Sequence, residues 1–123
     1  MTDTNGEFGS ETYSGIIQVG HHDLSYAAII TLAEWNEWNN VGEASLSQKQ
    51  LDNFLDGLAA VIKDHGTYVE VLFGQDEKQR GRLTRLHQDE AIVEIAEWGD
   101  WYNGSEAVIT AEQARQILAL FNR

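Results

Sequence analysis

The chain has no cysteine and no proline, and only eight Lys and Arg against twenty Asp and Glu, for a formal net charge of −12. Without cysteine there is no disulfide framework, no thiolate nucleophile and no cysteine-based zinc site. The lack of proline excludes no class of activity. No apolar run approaches the roughly 20 residues that a membrane-spanning helix needs. Residues 1–10 lack the basic-then-apolar pattern of a secretory signal, so the expected setting is cytoplasmic. Gly-x-Ser-x-Gly, a glycine-rich phosphate loop and His-x-x-x-His are all missing. The expectation is a non-enzymatic protein that needs no cofactor and no metal.

The scarce basic residues are unevenly placed. None precedes Lys49, where seven acids occur, and none lies between Leu86 and Ala114, where seven more occur. Four of the eight cluster at Lys78, Arg80, Arg82 and Arg85. A field of this sign repels nucleic acid and anionic membranes and attracts a basic protein. The cluster itself is expected to pair with acids of its own sheet or of a second chain.

Against these absences stands a repeat. Residues 28–58 align with 91–121 at a constant offset of 63. Both copies read A-I-x-x-x-A-E-W-x-x-W, at Ala28–Trp38 and Ala91–Trp101, and the match continues through Asn40/Asn103, Glu43/Glu106, Ala44/Ala107, Gln50/Gln113 and Leu55/Leu118. A weaker match joins Gly15–Asp23 to Gly81–Asp89 if three residues are inserted in the first copy. Such self-similarity implies a pseudo-symmetric architecture.

Strand patterns are read at Tyr13–Gly20, Tyr26–Trp35, Thr67–Gly74, Gly81–His87 and Ala91–Trp98. Ser47-x-x-Gln50 and Thr110-x-x-Gln113 are capping boxes, each followed by an apolar stripe at helical spacing. Gly66 reads as a left-handed helix stop. Asn36–Ser45 and Gly99–Ile109 read as polar loops. The expected fold is α+β: one antiparallel sheet of about five strands with two helices on one face, built from a β-β-α unit used twice. Residues 1–11 are expected to be a disordered tail. Residues 12–123 are expected to form one domain, from halves at about 13–66 and 67–123.

The two loops hold all four tryptophans. They read Glu34-Trp35-Asn36-Glu37-Trp38-Asn39-Asn40 and Glu97-Trp98-Gly99-Asp100-Trp101-Tyr102-Asn103. Trp35 and Trp98 suit core anchors at strand ends. Trp38 and Trp101 lie further into polar sequence and suit an interface, where aromatics supply the anchors and carboxylates meet Arg or Lys. The candidate partner-binding residues are Glu37, Trp38, Asp100, Trp101 and Tyr102. Glu37-x-x-Asn40-x-x-Glu43 and its counterpart Asp100-x-x-Asn103-x-x-Glu106 offer hard oxygen ligands, a weaker reading as a Ca²⁺ site. His21, His22 and His87 fall at turns.

The expectation for function is an acidic protein that docks on and neutralises a basic protein, of immunity or inhibitor type, such as one directed against a nuclease toxin. It binds no nucleic acid directly and no membrane. Three alternatives stay open: a DNA mimic of anti-restriction or anti-CRISPR type, a Ca²⁺ or small-ligand module, and a structural homo-oligomer such as a homodimer.

Overall fold

The structure, a computed structural model, describes residues 5–9, 13–19, 26–34, 42–64, 66–74, 76–87 and 89–123. These form two halves with the same order of elements. The first half runs β1 (Asn5–Gly9), β2 (Tyr13–Val19), β3 (Ala28–Glu34), β4 (Gly42–Leu46) and α1 (Gln48–Lys63). The second runs β5 (Tyr68–Phe73), β6 (Gln79–His87), β7 (Glu90–Glu97), β8 (Ser105–Thr110) and α2 (Ala111–Leu120). Each half is an antiparallel four-stranded meander, in the order β1-β2-β3-β4 and β5-β6-β7-β8.

The α+β class holds, but the expected single sheet of about five strands is replaced by two sheets of four. The repeat unit is four strands and a helix, not β-β-α. The missing strands lay in segments read as polar. β4 and β8 occupy the ends of the two polar loops, and β1 occupies part of the expected tail. Each is short and dilutes its apolar positions with Gly, Ser or Glu. In β4 only Ala44 and Leu46 are buried, and in β1 Phe8 is the one large buried side chain. β5 pairs with β6 as β1 pairs with β2.

The helices do not share one face of one sheet. α1 packs on β5 and β6 of the second half, and α2 packs on β1 of the first. The capping boxes explain how this crossing is fastened. Ser47 and Thr110 accept the N3 amide, and Gln50 and Gln113 accept the cap residue's N–H, as the sequence predicts. The remaining amide hydrogens of each Gln reach across to the other half. Gln50 Nε2 donates to Gly74 O at 2.9 Å, and Gln113 Nε2 donates to Gly9 O at 2.7 Å. One side chain therefore starts a helix and locks it to the opposite sheet.

The core is shared in the same way. One buried cluster contains Phe8, Ile17, Ile30 and Leu46 of the first half and Phe73, Leu83, Val93 and Ile109 of the second. Phe54 of α1 meets Phe73 of β5 edge-on, with ring centroids 6.3 Å apart. Two phenyl rings lie over glycines: a Cβ on Gly15 would come within 2.3 Å of Phe8, and one on Gly81 within 2.2 Å of Phe73. These equivalent glycines of β2 and β6 thus leave room for the aromatic neighbour. Among the described residues no helix is long and apolar enough to cross a membrane.

The two helix–sheet contacts are equivalent in position but opposite in size. Gly57 of α1 faces Val69 and Leu83; Leu120 of α2, 63 positions later, faces Gly6 beside Ile17. Position 6 pairs with Ile17 as position 69 pairs with Leu83. Where the helix is small the strand is large, and the reverse. Gly57→Leu alone overpacks this seam and is expected to cost about 1–3 kcal/mol, as overfilled cores do. Adding Val69→Gly reproduces the other seam and recovers part of that loss, which a double-mutant cycle in urea detects as a favourable coupling.

Candidate functional site

The second Trp-bearing loop joins β7 to β8. The Asp100 N–H donates to Glu97 O at 2.9 Å, closing a four-residue turn whose central residues both have positive φ: Trp98 at 56° and Gly99 at 74°. Gly suits this conformation. Trp does not, and an L-residue held there costs about 1–2 kcal/mol. A short 3-10 turn, Trp101–Asn103, follows, and Asn103 Nδ2 donates to Asp100 Oδ2 at 2.9 Å.

The two tryptophans exchange the roles that strand alternation assigns. Trp98 is 71% exposed, held by its backbone N–H to Lys78 O at 2.6 Å and flanked by the Lys78 ammonium 5.3 Å from its ring centre. Trp101 is half-buried, with the Arg82 guanidinium carbon 4.0 Å above its ring centre. Left-handed backbone at 98 and 99 turns the chain off the strand before Trp98 can continue the inward face. Tyr102 is 95% exposed and Asp100 is exposed. Of the candidate residues, Asp100, Trp101 and Tyr102 are thus gathered in this loop, with Trp101 engaged by Arg82 of its own chain. Glu37 and Trp38, with Trp35 and Asn40, lie outside the described residues, as do His21, His22 and His65.

Arg82 is the centre of a cross-strand row. Glu70, Arg82, Glu94 and Glu106 are consecutive register partners across β5, β6, β7 and β8. The guanidinium binds Glu94 in a two-point fork, Nε to Oε1 at 2.9 Å and Nη2 to Oε2 at 2.7 Å. Those bonds hold the Arg82 pKa above its ordinary value. Arg80 pairs with Glu70 at 3.8 Å and Lys78 with Asp76 at 3.5 Å, so these three bases of the cluster meet acids of their own half. Glu106 has no such base to itself. Partial burial first, then the charges of Glu94 and Glu34, raise its carboxyl above the usual range, with Arg82 opposing.

Glu34 ends β3 of the first half, which packs against β8 of the second, so the halves come close at this edge. Gly42 and Ser105 start β4 and β8 at the 63-residue spacing and touch each other: a Cβ on Gly42 would lie 2.6 Å from that of Ser105. Equivalent positions that meet lie at the local axis of pseudo-symmetry, where one side chain fits and two do not. Beside them is an open cleft lined by Glu43 of the first half and Gln79, Glu97, Trp98, Asp100 and Asn103 of the second. Both ends of the first loop, Glu34 and Gly42, therefore border the same seam as the second loop. Glu34 and Glu97 are both exposed.

Sequence reasoning passed over Trp98 as a surface residue. The available signal was Trp98-Gly99 directly after the strand, a turn dipeptide rather than a strand end. It also passed over Arg82 as the partner of Trp101. The proposed oxygen-ligand pattern brings Asn103 to Asp100, while Glu106 stands in the carboxylate row on β8; among the described residues no group of three His, Asp or Glu is placed to hold a metal ion.

Two tests follow from this geometry. Trp98→Asn removes an exposed ring and relaxes a left-handed residue, so stability by urea unfolding is expected to stay within about 1 kcal/mol of the parent or to rise. Trp101→Ala strips Arg82 of its ring and is expected to cost about 1–3 kcal/mol. For Glu106, the folded state holds its proton more tightly than the unfolded chain. Its charge therefore penalises folding as pH rises from the ordinary carboxylate range through the raised value. Glu106→Gln is expected to raise Tm near pH 7 and to lose that gain toward about pH 3, where both states are protonated.

No family model, no curated protein and no solved structure gives a significant match to this chain, so the meaning of this surface rests on its own chemistry.

Proposed function

We propose that this is a non-enzymatic acidic binding protein that docks the Trp98–Asn103 loop and the neighbouring carboxylates onto a basic protein. The observation that carries the reading is Trp98 itself. A large apolar ring is held in the open, at a backbone conformation that costs free energy, beside Tyr102, Glu97 and Asp100. Folding gains little from that arrangement, whereas a desolvated interface gains much from aromatic anchors. The surrounding acids supply orientation and steering toward Lys and Arg. Neutralisation of a nuclease-type toxin, as an immunity protein or inhibitor does, is the form of this activity that the charge of −12 favours. A DNA mimic needs an unbroken run of carboxylates, and Arg82 interrupts the row from Glu70 to Glu106.

The test is a pull-down from the source cell's lysate at low and high salt, followed by titration of the retained protein. A single basic protein, released as salt rises, is the expected result. Alanine at Tyr102 or Asp100, and Asn at Trp98, are each expected to weaken its affinity about 10- to 100-fold with the fold unchanged. Capture that none of these substitutions affects rejects the loop as the docking face.

A further inference from the structure

The second sheet ends in an open edge at β5. Tyr68–Phe73 pairs with β6 on one side only. Among the described residues no backbone hydrogen bond reaches the other side of this strand; the nearest, Gly74 N–H to Ser45 O at 2.8 Å, begins beyond its end. Protein edges are usually blunted by short length, Lys, Pro or a bulge. β5 has none of these. Its sequence is Tyr-Val-Glu-Val-Leu-Phe, its register is unbroken over six pairs, and Glu70 is its one charge. The equivalent edge strand, β1, is shorter and carries two glycines.

Alongside this edge runs a groove. Its floor is Val69–Leu72, and its far wall is the flank of α1, at Lys49, Asn53 and Asp56, with buried Gly57 at its base. Glu77 closes one end. A strand edge facing a helix across a groove is the geometry into which an extended peptide adds as one more strand, with main-chain bonds for affinity and alternate side chains for selection. The charge of the walls favours a basic occupant: Asp56, Glu70 and Glu77 stand against Lys49, with Glu70 also met at 3.8 Å by Arg80 of the neighbouring strand. The chain's own Arg123 already sets its guanidinium on Asp52 and Asp56 at this wall.

We infer that β5 is a strand-addition site for an extended, basic segment of a protein partner. The segment alternates apolar side chains, on the Val69 side of the strand, with Lys or Arg on the side of Glu70. The inference rests on the basic-partner reading for the charge of the segment, but the strand edge is separate from the Trp98 loop. A second copy of this acidic chain would bring Glu70-bearing edges of like charge together, which disfavours self-pairing.

The probe is a blocked hexapeptide alternating Lys and Val, titrated into the full chain and followed by amide chemical shifts. A Glu/Val peptide and a Lys/Val peptide with alternate N-methylated amides serve as controls. Shifts concentrated at residues 68–73 and 49–57 are expected. Glu70→Lys is expected to weaken the Lys/Val peptide at least tenfold and to improve the Glu/Val peptide, with some loss of Tm because it also gives up the Arg80 pair and sets Lys opposite Arg82. Glu70→Gln is expected to fall between them, and Trp98→Asn to have no effect. N-methylation is expected to abolish binding, because it removes the main-chain donors. Shifts confined to residues 97–103 overturn the edge proposal and leave the loop reading intact. Equal binding of the N-methylated peptide overturns strand addition. The absence of binding, or a concentration-dependent dimer whose contact maps to β5 in the peptide-free protein, also overturns it. Loss of the pull-down partner on Trp98 loop substitution, in contrast, bears on the loop alone.

Discussion

Everything in this molecule depends on the crossing of its two helices. Half a chain of this size buries a small fraction of its surface and is marginal by itself. Here α1 lies on the second sheet and α2 on the first strand of the first sheet, so neither sheet is covered without the opposite half. Gln50 and Gln113 make the arrangement specific, because each satisfies its own helix start and a carbonyl of the other half at once. Phe54 against Phe73 supplies packing across the same seam. Duplication alone would allow either half to pair with its own kind. The reversed sizes at Gly57/Val69 and Leu120/Gly6 oppose this, since like would meet like in a void or a clash.

The seam also shapes the surface. Pseudo-symmetry brings Gly42 to Ser105 and with them the start of β4, the end of β3 and the β7–β8 loop. Glu34, Glu43, Glu97 and Asp100 are drawn to one side of the molecule as a consequence. Arg82 keeps that crowding within bounds. It neutralises Glu94 in a two-point ion pair and covers Trp101, leaving Glu106 as a carboxylate whose charge is disfavoured by partial burial and its acidic neighbours. The acidic face is therefore partly organised from within and partly left open, and the open part is where Trp98 and Tyr102 stand.

Much of the secondary structure was legible because its signals are local. Capping boxes at Ser47 and Thr110, the apolar stripe from Leu51 to Val61, and the β-branched runs of β3 and β7 need no partner to be recognised. The short strands were not legible in the same way. Gly-Glu-Ala-Ser-Leu of β4 alternates weakly, and its strand character comes from the neighbour it pairs with. The same holds for β1, where Phe8 gains its place only by lying over Gly15. At the candidate site, the identities of Asp100, Trp101 and Tyr102 were visible as a repeated aromatic and acidic loop, but the opposite exposures of Trp98 and Trp101 were not.

The sequence by itself determined the duplication, the two helix starts, the sign of the surface charge and the absence of thiol chemistry. All of these depend on residue identity and short spacing. Tertiary structure alone decided that the eight strands of the described residues form two sheets, that each helix serves the other half, and which of Trp98 and Trp101 faces out. Those outcomes depend on contacts between residues far apart in the chain and on a left-handed turn at Trp98 and Gly99. Periodicity carries no information about which distant surface will arrive to cover a given face.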